Sequence, residues 1–264
     1  MLRKRLIFSL IYSNGFFTQS RNFRLQKVGD FDWLDENYKF QKIANSLDEL
    51  VILNASRDAR DFNNFCKNVK KLAKMVFIPI SAGGQVRNID DIELLFNSGA
   101  DKIIFNSKIF RDPNFVRNVS KRYGASSIVA SIDYKWINND YNIFINQGMF
   151  NTKLNIRQYI SKFEELEVGE IYLNSIDRDG TGFGYDLSPF YKKEIKTKIP
   201  IILAGGAGKA EHLKEGLQIP EVSAVATANL FNFMGSALID SREHLLNQNQ
   251  NLASWENMYE YLGT

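Results

Sequence analysis

Eight short apolar runs recur along the chain at regular intervals, and this rhythm restricts the fold more than any other property of the sequence. Runs rich in Ile, Val and Phe begin near Leu6, Glu49, Val76, Lys102, Ser127, Glu170, Ile199 and Val222, and longer stretches with helical periodicity separate them. Successive starts lie about 43, 27 and 26 residues apart in the first half and about 43, 29 and 23 in the second. The halves repeat at an offset of about 121 residues: Ile80-Ser81-Ala82-Gly83-Gly84 is echoed by Leu203-Ala204-Gly205-Gly206, and Ile109-Phe110 by Leu230-Phe231. Right-handed crossovers between parallel strands leave few arrangements for eight such units. The spacing predicts one α/β domain over residues 1–264, a (β/α)8 TIM barrel of two duplicated half-barrels, about 1–123 and 124–246. An open doubly wound sheet is the alternative. Beyond the eighth unit, Trp255, Met258, Tyr259 and Leu262 stand at helical spacing and predict a helical extension over about 247–264.

Composition narrows the function. Thirty-three Lys and Arg against 30 Asp and Glu leave a net charge of +3, and the charges are interspersed, which argues against nucleic-acid binding. No apolar run approaches the roughly 20 residues that span a bilayer. The stretch Leu6 to Tyr12 after Arg3-Lys4-Arg5 is too short for a signal peptide and reads as a strand. The single cysteine, Cys66, excludes an internal disulfide and fits a reducing, cytoplasmic setting. Its apolar helical context gives it a core role. Two histidines, His212 and His244, make no metal site and read as surface or packing residues. Neither a metal site nor a dinucleotide fingerprint is present, so no cofactor is expected.

Barrels of this kind place their chemistry at the carboxyl ends of the strands. Gly83-Gly84 after the third strand and Gly205-Gly206 after the seventh let backbone N–H groups approach a ligand closely, and phosphate is the natural guest. Asn106-Ser107 and Thr227-Ala228 at neighbouring strand ends join them, and the segments that follow are candidates to aim a helix N-terminus at the same anion. One site per half suits a substrate with a phosphate at each end. Asp133 closes the fifth strand and faces the mouth, and Asp177 and Asp179 follow the sixth, so these carboxylates are the acid/base candidates. Asp179 precedes a glycine, a common turn pairing. At the opposite end, Arg5, Glu49, Lys102 and Glu170 each stand immediately before an apolar strand. Two cations and two anions there suit a salt-bridged layer around the barrel bottom, but read alone such charges are solvated and serve stability.

These pieces, in this order, resemble the HisF-type cyclase subunit of imidazole glycerol phosphate synthase over nearly the whole chain. The likeness lies in Leu2-Arg3-Lys4-Arg5-Leu6-Ile7, Ala100-Asp101-Lys102, Ser131-Ile132-Asp133, Asn174-Ser175-Ile176-Asp177-Arg178-Asp179-Gly180-Thr181 and Ala204-Gly205-Gly206-Ala207-Gly208. The resemblance implies a HisH-type glutaminase docked on the barrel bottom and ammonia crossing the barrel to a two-phosphate ribulosyl substrate. The products would be imidazole glycerol phosphate and an aminoimidazole carboxamide ribotide. It makes Arg5, Glu49, Lys102 and Glu170 an ammonia gate, Asp101 a contact to the glutaminase, the glycine loops phosphate sites and Asp133 one of two catalytic aspartates. The matching position of the second catalytic aspartate is Ile11, which cannot move a proton. A loop lysine of the family corresponds to Gln19, a strand-two aspartate to Asn54, and the third glycine of the first phosphate loop to Gln85.

An intact gate under an altered top resembles the divergent second copies of this subunit associated with surface-polysaccharide genes, in which ammonia turns an acetamido sugar into an acetamidino sugar with help from a third protein. Three readings follow: a cyclase that recruits Asp177 or Asp179, an amidotransferase component acting on a sugar, and a non-catalytic conduit that activates its glutaminase. The aromatic segment Phe31 to Phe40 is expected to pack the first crossover helix on the barrel.

Overall fold

The computed structural model describes residues 3–57 and 60–254. Eight parallel strands form a closed ring: β1 (Arg5–Ser13), β2 (Glu49–Asn54), β3 (Ile80–Gly83), β4 (Lys102–Phe105), β5 (Ile128–Ile137), β6 (Glu170–Ser175), β7 (Ile201–Ala204) and β8 (Val222–Thr227). Each pairs with the next, and β8 closes on β1 with Arg5 opposite Ala224 and Phe8 opposite Thr227. The structure is therefore a (β/α)8 barrel, and the open doubly wound sheet is excluded.

Six of the eight strands begin within one residue of the expected starts; the third and seventh begin later, at Ile80 and Ile201. The reason is proline. Pro79 and Pro200 lack the N–H that a ladder needs, so pairing starts after them. Their carbonyls still accept from Leu50 N–H and Ile171 N–H, each at 2.9 Å. The two prolines occupy the same place in the two halves.

The long first interval of each half has a specific cause. A two-stranded antiparallel extension follows β1 (Phe16–Arg21 and Arg24–Gly29), and another follows β5 (Asp140–Ile145 and Phe150–Asn155). Their turns use Asn14-Gly15, Asn22-Phe23 and Asn138-Asn139, all at positive φ, the geometry that matches strand twist in two-residue hairpins. Helical segments are correspondingly shorter than the spacing suggested. Only Ile156–Ile160 and a three-residue turn follow the second hairpin, and only Ser188–Tyr191 lies between β6 and β7.

The outer core packs helices on the strands. The helix Phe31–Tyr38 buries Leu34 and Tyr38, with the Tyr38 ring 5.3 Å from that of Phe8, so the aromatic segment packs as expected. Cys66 is buried in the helix Phe62–Ala73, and burial pushes its thiol up to about 12, which leaves it inert. The final helix, Ala237–Asn247, is anchored by Arg242. Its guanidinium is 1% exposed and grips both oxygens of Asp48 at 2.9 and 3.0 Å. The helical extension anticipated around Trp255 to Leu262 lies outside the described residues.

Candidate active site and the bottom-face charge ring

The first residues of β1, β2, β4 and β6 point into the barrel from its amino-terminal end and meet as a closed ring of alternating charge. Arg5 contacts Glu49 at 2.7 Å and also Glu170; Lys102 contacts Glu49 at 2.9 Å and Glu170 at 2.6 Å. Glu49 is 1% exposed and takes a further hydrogen bond from Ser81. Burial works against the charge on Arg5, but Glu170 and Glu49 outweigh it and hold the guanidinium more firmly protonated. Burial likewise opposes the Glu170 charge, and Arg5 with Lys102 overcome it, so that carboxyl lies below its usual range. The four residues thus satisfy one another instead of being separately solvated. Asp101 is exposed beside this ring, with Oδ2 accepting from Ile80 N–H at 2.8 Å.

Above the ring the bore is mostly apolar. Ile7, Val51, Ile104, Val129, Tyr172, Ile202 and Ala224 fill it, in the layered manner of parallel barrels. Polar groups within it bond to one another or to the ring: the Tyr172 hydroxyl lies 3.0 Å from Ser9 Oγ, and Ser81 donates to Glu49.

The bore opens at the carboxyl end into a cavity of about 610 Å³. Gly83, Gly84, Asn106 and Ser107 line one side, and Gly205, Gly206, Thr227 and Ala228 line the other. The sequence candidates for anion binding are therefore brought together in one cavity. The internal repeat aligns differently from the glycine pairs themselves. Gly84 (φ 99) and Gln85 (φ 60) match Gly205 (φ 84) and Gly206 (φ 117), so Gln85 holds a left-handed conformation where the other half has glycine. A Cβ at Gly206 would sit 2.1 Å from the Gly184 carbonyl oxygen. Ser107–Arg111 is a single helical turn, whereas the equivalent segment after β8 forms turns and no helix, so the expected helix N-terminus is missing beside the Gly205-Gly206 loop.

Asp133 is 8% exposed at the cavity floor. Its Oδ2 accepts from Asn106 Nδ2 at 3.0 Å and its Oδ1 from Asn174 Nδ2 at 3.3 Å. Burial pushes its carboxyl up to about 7 despite both amides, and Asp179 adds to the rise. A carboxyl of that acidity can both give and take a proton near neutral pH.

Asp179 also lines the cavity, but its carboxylate is engaged. Oδ2 accepts from Ser20 Oγ and from Phe23 N–H at 3.0 Å, and its carbonyl takes Asn22 N–H at 2.9 Å. Burial raises its carboxyl and these bonds restrain the rise. Asp179 thus fastens the first hairpin across the mouth. Asp177 lies on the rim, accepting from Trp136 N–H at 2.9 Å. The second hairpin reaches the opposite side, with Gln147 Nε2 donating to the Ser56 carbonyl at 3.2 Å.

The barrel's own two-fold repeat identifies what Ile11 replaces. Ile11 pairs with Leu53 and Asp133 with Asn174, and Leu53 and Asn174 are themselves equivalent in the repeat. Ile11 is therefore the structural mate of Asp133, so the first half presents an apolar side chain where the second presents a carboxylate. Gln19, in the first hairpin, accepts from Leu230 N–H at 2.8 Å through Oε1 and so ties that hairpin to the loop after β8. Asn54 lines the cavity, with Oδ1 accepting from Ser56 N–H at 3.1 Å.

The sequence reading missed the two hairpins and the Ser20 and Phe23 contacts to Asp179. Asn14-Gly15 was the available signal. Of the histidines, His212 supports a glycine loop, accepting from Gly208 N–H at 3.2 Å through Nδ1; His244 lies 3.8 Å from Glu211 on the surface. No cluster of three or more His, Cys, Asp or Glu suited to a metal occurs among the described residues, and no helix there is long and apolar enough to cross a membrane.

Comparison with known proteins agrees with this architecture. The histidine biosynthesis protein family matches residues 34–236. A Parasynechococcus marenigrum (strain WH8102) protein provisionally named imidazole glycerol phosphate synthase subunit hisF2 is 44% identical over 256 residues, 97% of this chain and 95% of its own. The imidazole glycerol phosphate synthase subunit HisF of Hydrogenobaculum sp. (strain Y04AAS1) is 35% identical over 235 residues, 88% of this chain and 92% of its own. That of Pyrobaculum aerophilum is 34% identical over 232 residues, 88% and 90%.

Proposed function

The chain belongs to the histidine biosynthesis protein family, among the HisF-type subunits of imidazole glycerol phosphate synthase, and from that membership we propose that it is the ammonia-receiving synthase subunit of a two-protein glutamine amidotransferase. The observation that carries the reading is the closed ring of Arg5, Glu49, Lys102 and Glu170 beneath an apolar bore that leads to a cavity floored by Asp133. A glutaminase seated on the bottom face, with Asp101 among its contacts, releases ammonia at the ring. Neutral ammonia suits an apolar bore, where an ammonium ion would pay a large desolvation cost. At the top, ammonia attacks an electrophilic carbon of a substrate held by the Gly83-Gly84 and Gly205-Gly206 loops. Asp133, poised near neutral, takes the proton that nitrogen loses or protonates the departing oxygen.

The identity of position 11 favours a changed acceptor. A symmetric acid/base pair has lost one carboxylate, which costs about 10²–10⁴ in rate for a reaction that needs both, while the ring stays complete. The ribulosyl cyclization is accordingly slow here, and the acceptor is a different phosphorylated compound such as an acetamido sugar converted to its acetamidino form. Copurification with the glutaminase, followed by glutamine-dependent turnover of the ribulosyl substrate and of the sugar, tests both points. Rapid imidazole formation by the unaltered chain would overturn the changed acceptor. Ile11→Asp should raise cyclization, since the remaining cavity still offers Asp133 and both anion sites.

A further inference from the structure

The internal repeat supplies a control for each half of the cavity, and the two halves differ in charge. Arg87, Lys108 and Arg111 line the cavity on the first-half side. At the repeat offset they correspond to Gly208, Asn229 and Asn232, all neutral. A fourth cation, Arg57, lines the same side, and its counterpart Arg178 is outside the lining. No lysine or arginine lines the second-half side among the described residues.

These cations are not used up by the fold. Arg87 and Arg111 make no side-chain hydrogen bond or ion pair among the described residues. Arg57 donates to the Phe23 carbonyl and to Gln147 Oε1 at 2.9 Å, neither of them charged. Lys108 has a partly exposed partner, Asp112, at 3.3 Å, and lies over the Phe115 ring at 4.5 Å, so Arg87 and Arg111 are the cations left for a ligand and Arg57 and Lys108 support them. The cavity's own carboxylates do not pair with them either: Asp133 is held by Asn106 and Asn174, and Asp179 by Ser20 and Phe23.

Both halves share the donors that suit one phosphate, a glycine loop and a polar strand end. A phosphate monoester carries about −1.5 to −2 at neutral pH, and the neutral second half is adequate for it. The first half adds Arg57, Arg87, Lys108 and Arg111 to a comparable loop, in which Gln85 stands where the second half has Gly206. We infer that the first-half end of the cavity binds a diphosphate group of the acceptor, while the second-half end takes at most a single phosphate or an uncharged group. The inference rests on the proposed reading of this cavity as the acceptor site, and its test does not depend on ammonia transfer.

Binding of inorganic pyrophosphate, a simple alkyl diphosphate and inorganic phosphate to the full chain, followed by calorimetry and 31P NMR, tests it. Both diphosphates should bind at least about tenfold more tightly than phosphate. Arg87→Ala and Arg111→Ala should each weaken them about tenfold, and Asn232→Ala should leave them unchanged. These are rim positions, and far-ultraviolet circular dichroism should show the variants folded. Equal affinity for phosphate and diphosphate, indifference to the arginines, or exclusion of the alkyl diphosphate would overturn the inference, even if glutamine-dependent transfer to another acceptor were observed.

Discussion

Replacing Asp133 by asparagine should stabilise the protein at alkaline pH while impairing its chemistry. Burial lifts the Asp133 carboxyl from its ordinary value of 3.8 to about 7. A carboxyl raised in the folded state holds its proton more tightly there than in the unfolded chain. Its contribution is therefore fully present below about pH 4 and is lost as pH rises to about 7 and beyond. About three units of difference, at 1.36 kcal/mol each, give about 4 kcal/mol between the two limits. Asparagine cannot ionise, keeps a carbonyl to accept from Asn106 or Asn174, and escapes this loss. Urea unfolding of both proteins at pH 4.5 and 8, chosen as about the two ends of the window, should show Asp133→Asn gaining at least about 2 kcal/mol relative to wild type between them. Turnover of the acceptor should fall about 10²–10⁴-fold at neutral pH. A stability difference that stays constant with pH would refute the argument that burial, with Asp179 adding to it, makes Asp133 an acid near neutrality.

Other substitutions probe the scaffold around the site. Gly206→Ala brings a Cβ to 2.1 Å from the Gly184 carbonyl at φ 117, and should cost about 2–3 kcal/mol in chemical denaturation and weaken phosphate binding. Arg242→Ala leaves Asp48 without its bidentate partner and should cost about 3–5 kcal/mol, read as a lower thermal midpoint. Arg5→Ala removes two contacts of the ring; it should lower glutamine-dependent product formation more than ammonium-dependent formation, whereas equal losses would assign Arg5 to folding alone.

Much of the barrel was legible because its periodicity is a consequence of packing. Every strand must bury both faces, so every strand reads as an apolar run, and duplication supplies two copies of each signal. Pro79 and Pro200 moved two strand starts by local chemistry that a count of apolar residues does not register. The hairpins after β1 and β5 escaped because long intervals between barrel strands suggested helix, although Asn14-Gly15 carried the turn. Asp133 was visible as a barrel-strand aspartate, although β5 does not close at it but runs on to Ile137 into the second hairpin, and its weakened acidity depends on burial that no local pattern encodes. The ring illustrates the same limit. Taken alone, four charges at strand starts read as solvated; the family resemblance grouped them as one gate, and closure of the barrel brings residues 5, 49, 102 and 170 within hydrogen-bonding distance. Asp179 shows the reverse: a turn-like Asp-Gly in sequence proves to hold the first hairpin over the cavity. The cations on one side of the mouth became informative only when the fold supplied neutral counterparts for comparison.

Passage of ammonia through the barrel is the claim on which the account depends. Its most direct test supplies the chain and its glutaminase partner with glutamine labelled with 15N at the amide, in the presence of excess unlabelled ammonium, and offers the ribulosyl and acetamido-sugar acceptors. Delivery through the ring and bore predicts product that keeps nearly all of the label whatever the ammonium concentration. Label diluted in proportion to bulk ammonium would mean that nitrogen reaches the cavity from solvent, and would contradict the account.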